Sequence, residues 1–255
     1  MKRRNLFLIL CATLLVAVGC EKPVEEFVPP TGDGLFSVSD STKVRFSPGN
    51  LDYTEGEGYS FVEHQYYYGG YFGWGTGDHP MDTSSRWEDY PDFDDWGNHI
   101  EGVWRTLSER EWRYVIRDRE EASNKRGTAT VCGVYGLVLL PDNWSGGSFR
   151  SSFNEWSRNV YDASSWSEME TAGAVFLPAA GSRDGARMDN VGKAGHYWSS
   201  TSAHVSDNNP YDMYGGALPM NFNEILESSL FRERCDGLSV RLVQDINNWT
   251  QDGDE

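Results

Sequence analysis

The stretch Trp104-Arg105-Thr106-Leu107-Ser108-Glu109-Arg110-Glu111-Trp112-Arg113-Tyr114 contains the signals that start a helix. Ser108 followed three residues later by Glu111 is a capping box, in which each side chain binds a backbone N–H that the helix terminus leaves unpaired. Leu107 and Trp112 flank this box at the spacing of a hydrophobic staple. The sequence therefore predicts a helix that begins directly after Ser108.

The residues that follow predict one apolar helix face. Trp112, Val115 and Ile116 recur at helical spacing, so this face is expected to pack against a core. The opposite face can stay in water, because it carries Arg110, Arg113 and Arg117.

Short strands and a second helix are predicted elsewhere in the chain. Apolar runs bounded by turn residues predict strands at 36–38, 43–46, 128–134, 137–140, 175–177, 197–199 and 238–243. Ser165 and Glu168 repeat the capping-box spacing, and Gly173 is placed to end the helix that they predict. Two helices among many short strands and long loops indicate an α+β fold.

Five motifs in order carry a family resemblance. The segment at 104–114 is similar to the R-L-P-T-x-x-E-W-E-Y signature of formylglycine-generating enzymes, without its proline; the others lie at 136–144, 173–181, 197–201 and 237–243. Together they resemble the Fibrobacter major paralogous domain and related surface lipoproteins of gut bacteria. The resemblance implies a C-type-lectin-like domain over residues 34–245, with short antiparallel strands, two helices and long loops. It says less about function, because one fold can carry many sites.

The N-terminus has the pattern of a bacterial lipoprotein. Basic residues at 2–4 precede the apolar run Leu6–Val18, which is too short to span a bilayer and is typical of a signal peptide. Residues 1–19 are thus predicted to be removed, Cys20 to be lipidated, and residues 20–33 to form a tether. The acidic residues after Cys20 resemble a signal for the outer membrane and the cell surface. An ordinary signal peptide that is cut nearby is the alternative.

The chain is strongly acidic and rich in aromatic residues. Its formal net charge is -17, which becomes -20 once the basic residues at 2–4 are removed. Such a surface repels phosphate backbones, so nucleic acid is not an expected partner, and the membrane is contacted through the lipid anchor only. Ten Trp, thirteen Tyr and twelve Phe residues can fill a core. The acidic tail 246–255 is expected to fray.

Cysteines and carboxylates are the candidate bridging and metal-binding groups. Cys132 and Cys235 remain after lipidation, and they form either a disulfide or two separate thiols. Asp92, Asp94 and Asp95 are weak candidates for calcium, since carboxylate oxygens suit this ion. The run does not match an EF-hand, and a solvated acidic loop is favoured. No cofactor is therefore expected, and calcium is the only metal with any support.

The aromatic run Tyr66–Gly75 alternates rings with glycine and allows two interpretations. Rings can form the floor of a sugar site, because the C–H faces of sugars pack on them. Rings can equally fill the core beneath a long loop, which is the favoured interpretation.

Enzymatic functions receive little support. The resemblance to formylglycine-generating enzymes would require a pair of cysteines near the C-terminus, and only Cys235 lies there. Motifs of serine hydrolases, zinc proteases and nucleotide-binding loops are absent, and the five histidines are scattered as surface or packing residues. We therefore predict no catalytic residues.

The segment Thr201–Arg234 is the candidate ligand face. It is rich in polar and turn-forming residues between two predicted strands, and loops on a rigid scaffold commonly carry recognition. In C-type-lectin-like proteins the corresponding loops bind ligands. The predicted function is a surface-anchored binding module for a glycan or a protein; the alternatives are a structural subunit of a surface fibre or coat and, third, a carbohydrate-active enzyme. The candidate residues are Asn208, Asn209, Tyr211, Asp212, Tyr214, Asn221 and Asn223.

Overall fold

The computed structural model describes residues 34–80, 83–90, 92–152, 155–203, 214–221 and 230–246. These residues form an α+β fold with mostly antiparallel sheets and two short helices, so the predicted fold class is confirmed at this level. The predicted signal peptide, the tether and all but the first residue of the tail lie outside the described ranges.

The described strands are short and occur along the whole domain. In chain order they are β1 (Phe36–Ser37), β2 (Lys43–Phe46), β3 (Leu51–Thr54), β4 (Gly58–Phe61), β5 (Arg105–Thr106), β6 (Arg126–Val131), β7 (Val134–Leu139), β8 (Val160–Tyr161), β9 (Val175–Pro178), β10 (Ser182–Asp184), β11 (Arg187–Asp189), β12 (Ala194–Ala203), β13 (Tyr214–Asn221), β14 (Leu230–Glu233) and β15 (Leu242–Asp245).

The helical elements are equally brief. The α-helices are α1 (Glu109–Arg113), which continues as a π-helical turn (Tyr114–Asp118), and α2 (Ala163–Thr171); single 3-10 turns lie at Trp87–Asp89, Trp96–His99 and Ala122–Asn124.

Three sheets organise these strands. The first has the order β1-β2-β15-β5, the second β8-β6-β7-β9 and the third β12-β13-β14. Pairing is antiparallel throughout, except where β6 runs parallel to β8. The strands β3-β4 and β10-β11 form two further hairpins, separate from these sheets.

The start of α1 follows the prediction. The backbone N–H of Glu111 donates to Ser108 Oγ at 3.3 Å, and the N–H of Ser108 donates to Glu111 Oε2 at 2.8 Å. Arg105 holds the same carboxylate with two hydrogen bonds of 3.0 and 2.7 Å. Its guanidinium also binds Asp245 at the end of β15. The capping box therefore ties the helix to the first sheet.

The predicted start of α2 is wrong by three residues. Asp162, and not Ser165, is the N-cap, because Asp162 Oδ1 accepts the N–H of Ser165 at 2.9 Å. A charged carboxylate suits the positive end of a helix, and Ser165 is thereby placed inside the first turn. The predicted end is confirmed: Gly173 has φ 92° and donates to the carbonyl of Glu170 in a Schellman motif.

Two predicted strand boundaries also change. The run predicted at 128–134 contains a hairpin turn, since Cys132 (φ 49°) and Gly133 (φ 83°) adopt the left-handed conformation between β6 and β7. The run predicted at 238–243 becomes a regular strand only at Leu242. Leu238 and Ser239 instead make isolated bridges to Phe72 and Tyr197.

The second sheet is buried on both faces. Leu137 and Leu139 face a core cluster that includes the first sheet and the apolar face of α1. Val138 and Phe176 face the opposite way, toward Trp166 and Met169 of α2. This alternation follows from the period of two along a strand, and it makes the sheet the central layer of this half of the domain.

A buried ion pair joins the end of the helical segment to this core. Arg119 is 3% exposed and donates to Asp142 Oδ1 at 3.1 Å and to two backbone carbonyls. The other oxygen of Asp142 accepts both the N–H and the hydroxyl of Ser37. Partners on all sides offset the desolvation of the two charges.

Because Trp112 is 2% exposed, it is expected to be far more important for stability than the helix cap. We predict that Trp112→Ala lowers the free energy of unfolding by about 3 to 5 kcal/mol, whereas Ser108→Ala lowers it by about 1 kcal/mol. Urea denaturation of both variants provides the measurement. Equal midpoints would contradict the burial of the Trp112 ring.

Candidate functional site

The segment predicted to hold the ligand face is partly a sheet. β12 pairs with β13 from Ala194 opposite Asn221 to Ala203 opposite Tyr214, and β13 pairs in turn with β14. The expectation of loops throughout 201–234 is thus wrong, because the backbone groups of this stretch pair with each other. The connections at 204–213 and 222–229 lie outside the described residues.

The seven predicted ligand residues divide into two groups. Asn208, Asn209, Tyr211, Asp212 and Asn223 lie outside the described residues. Tyr214 begins β13 and Asn221 ends it, so their Cα atoms are about 23 Å apart at the rise of an extended strand. The structure therefore does not bring all seven positions to one point. Ala203 and Tyr214 lie at one end of the sheet, and Asn221 lies at the other.

The end of the sheet that carries 204–213 is fixed to the core by one arginine. Arg234 is 5% exposed, and its guanidinium carbon lies 4.3 Å from the centre of the Trp74 ring. It donates to the carbonyl of Tyr90 at 3.2 Å and to the hydroxyl of Ser202 at 2.9 Å. Ser202 is near the end of β12, and Glu233, which precedes Arg234, pairs with Tyr214 at the start of β13, so the strand ends on both sides of the connection lie next to Arg234.

The favoured interpretation of the aromatic run is confirmed for its second half. Phe72 and Trp74 are buried, and the indole N–H of Trp74 donates to the carbonyl of Ser199 at 3.0 Å. The glycines permit close packing, since a Cβ at Gly73 would collide with the ring of Tyr90. The first half differs, because Tyr67 is 47% exposed.

A polar cluster that the sequence did not reveal lies under the third sheet. His196 on β12 is 9% exposed, and burial, together with the positive charge of Arg232, lowers its pKa to about 4. Arg232 donates to the hydroxyl of Ser182 at 2.8 Å and forms an ion pair with Asp236. A neutral imidazole with so low a pKa is a weak base at pH 7, so His196 is poorly suited to general-base catalysis.

The calcium candidates have other partners in the structure. Asp94 forms an ion pair with His99. Asp95 accepts hydrogen bonds from the N–H groups of Gly97 and Thr106 at 3.0 and 2.9 Å, which caps a 3-10 turn. Asp92 is exposed. Across the described ranges, no group of three or more His, Cys, Asp or Glu side chains is arranged to hold a metal ion.

The two described cysteines are free thiols. Cys132 is exposed in the β6-β7 turn, and Cys235 is buried after β14. The candidate disulfide is therefore not formed in the structure. Burial, with the nearby charges of Glu233 and Asp236, raises the pKa of Cys235 to about 12. Such a thiol is a poor nucleophile, because the thiolate is the reactive form.

Comparisons of the chain with protein families, with curated proteins and with solved structures found no match. Within the part of the chain that the structure describes, no helix has the length and apolar character needed to cross a membrane.

The buried His196 predicts a specific pH dependence of stability. Its pKa falls from 6.5 when unfolded to about 4 when folded, so the unfolded state binds the extra proton and stability is lost as the pH falls from about 6.5 to 4. The full loss amounts to roughly 3 kcal/mol. We expect His196→Gln to remove this part of the pH dependence in urea titrations at pH 7 and pH 4.5. Carboxylates such as Glu111 titrate in both proteins and cancel in the comparison; equal slopes for the two proteins would contradict the assignment.

Proposed function

We propose that this chain is a surface-anchored lipoprotein whose C-type-lectin-like domain binds a glycan or a protein ligand through the connection 204–213. The observation that carries the proposal is the arginine base beneath this connection. Arg234 stacks on Trp74 and binds Ser202 near the end of β12, while the preceding Glu233 pairs with Tyr214 at the start of β13, so the strand ends on both sides of the connection share one base. A rigid base lowers the entropy that a binding segment loses when it engages its ligand.

The composition of the connection supports the same proposal. Asn208, Asn209, Tyr211 and Asp212 supply amide, phenol and carboxylate groups within five residues. Tyrosine and asparagine combine contact area with hydrogen bonding, and both are common in binding loops. Asn221, at the far end of β13, would belong to a separate part of the surface.

Binding is supported over catalysis by two buried titratable groups, His196 on β12 and Cys235 after β14. The pKa of Cys235 is raised to about 12 and that of His196 is lowered to about 4, which is the opposite of what a nucleophile and a general base require. The two buried groups instead fill and stabilise the scaffold. An enzyme is accordingly not part of the proposal.

Attachment to the outer membrane, with the domain facing the cell surface, rests on the N-terminal sequence. Val18-Gly19-Cys20 follows the apolar run, and the described domain begins at Gly34. A tether of 20–33 would separate the lipid from the domain by up to about 45 Å when it is fully extended. That distance is sufficient to hold a binding domain clear of the membrane surface.

The ligand face is tested by separating binding from stability. We expect Tyr211→Ala to weaken ligand binding by about 1 to 2 kcal/mol while changing the free energy of unfolding by less than about 0.5 kcal/mol. Trp74→Ala, the control, should destabilise the domain, because its buried ring supports Arg234. Glycan arrays and thermal melts of both variants provide the measurements. If Tyr211→Ala lowers the melting temperature as much as Trp74→Ala does, the connection is packing and the proposed site is wrong.

The anchor is tested at Cys20. We predict that Cys20→Ser abolishes lipid attachment and releases the protein in soluble form, because stable anchoring requires more than one acyl chain. Metabolic labelling with a fatty acid, followed by fractionation, detects the change. Cys132→Ser is the matched control, since Cys132 is an exposed thiol within the domain. Label that persists in Cys20→Ser would refute the lipoprotein assignment.

A further inference from the structure

Three aromatic rings form a cluster at the surface, away from the third sheet. His64 and Tyr66 are stacked with ring centres 4.9 Å apart and planes 14° from parallel. Tyr67 lies 5.2 Å from each of them, nearly perpendicular to both. The Tyr67 residue is 47% exposed and the His64 side chain 41%, so solvent reaches the cluster.

The residue between these rings holds the cluster in place. Gln65 is 5% exposed and points into the protein, where its Oε1 accepts the N–H of Phe176 at 2.8 Å and an Nη2 donor of Arg241 at 2.6 Å. Its amide nitrogen donates to the carbonyl of Ala174. With Gln65 fixed to β9 and to a buried arginine, the rings on either side are preorganised at the surface.

The surroundings of the rings are acidic. Glu63 is largely exposed, and its carboxylate lies 3.9 Å from His64 Nε2. Burial raises the pKa of the Tyr66 hydroxyl, and the thiol of Cys132, the hydroxyl of Tyr67 and the charge of Glu170 raise it further. Carboxylates accept hydrogen bonds from hydroxyl groups, and they repel anions.

Rings and carboxylates together favour a neutral sugar. A pyranose has C–H faces that pack on aromatic rings and hydroxyl groups that donate to carboxylates. Uronic and sialic acids would be repelled by Glu63 and Glu170. A quaternary ammonium group would need several ring faces directed at one point. His64 and Tyr66 instead stack on each other, so each ring blocks one face of the other.

We propose that His64, Tyr66 and Tyr67, with the carboxylate of Glu63 beside His64, form a stacking site for a neutral pyranose. The site packs on the second sheet through Gln65 and is distinct from the connection 204–213. It extends the proposed binding function to a second surface, and it would stand if the late connection bound no ligand.

The test uses the full mature chain, with Cys20→Ser to keep it soluble, and cellohexaose, mannohexaose and xylohexaose as probes. Calorimetry measures affinity, and the NMR signal of His64 in histidine-labelled protein reports contact at the site. We expect at least one hexasaccharide to bind and to shift the His64 signal. Tyr67→Ala should weaken this binding about tenfold, and Tyr67→Phe should preserve it, because the ring provides the stacking face.

Two control variants distinguish this site from other surfaces of the domain. Trp156→Ala removes another exposed ring and should leave hexasaccharide binding unchanged, and Tyr211→Ala reports any binding at the late connection. The inference is overturned if none of the three probes binds at 10 mM, if Tyr67→Ala binds as the parent does, or if tetramethylammonium shifts His64 in place of the sugars. Binding that is lost in Tyr211→Ala alone would support the late connection and overturn this site.

Discussion

Hydrogen bonds from the polar atoms of buried rings connect separate elements of this domain. The indole N–H of Trp198 donates to the carbonyl of Phe72 at 2.6 Å, and the indole N–H of Trp112 donates to the carbonyl of Trp198 at 3.3 Å. The neighbouring Tyr197 belongs to the core cluster of the first sheet and α1, and its hydroxyl donates to the carbonyl of Pro178. Because such a partner stabilises a buried indole or phenol, β12 positions the aromatic run, α1 and β9 at once.

A buried cation imposes a second constraint. Arg241 is 1% exposed, and burial lowers its pKa to about 10, so it remains charged at neutral pH. Among the described residues its Nη2 bonds to Gln65, while its Nε and Nη1 have no protein partner. Because an isolated buried charge is costly, Gln65 must stay directed inward. The proposed sugar site depends on this requirement, since the fixed Gln65 holds His64 and Tyr67 at the surface and Tyr66 against the core around Trp166.

Much of the acidic character that is visible in the sequence serves local structure. Asp162 caps α2, Asp95 caps a 3-10 turn, and Glu111 combines a capping box with an arginine pair. Asp142 closes the network around Arg119. Each of these carboxylates accepts hydrogen bonds from donors within the domain. Within the acidic run at 88–95, Asp95 therefore has a structural role.

Local sequence determined the elements whose signals are short in range. The start of α1 at Ser108, the end of α2 at Gly173 and the β1-β2 pair were predictable, because capping groups and glycine conformations act within a few residues. The sequence also contained the polar connection 204–213 as a candidate. Tertiary structure alone decided which rings of the aromatic run are core and which are surface, since Trp74 is buried by contact with Arg234, 160 positions away. It likewise decided the burial of His196 and the separation of Tyr214 from Asn221, because burial and strand pairing depend on residues that are distant in the chain.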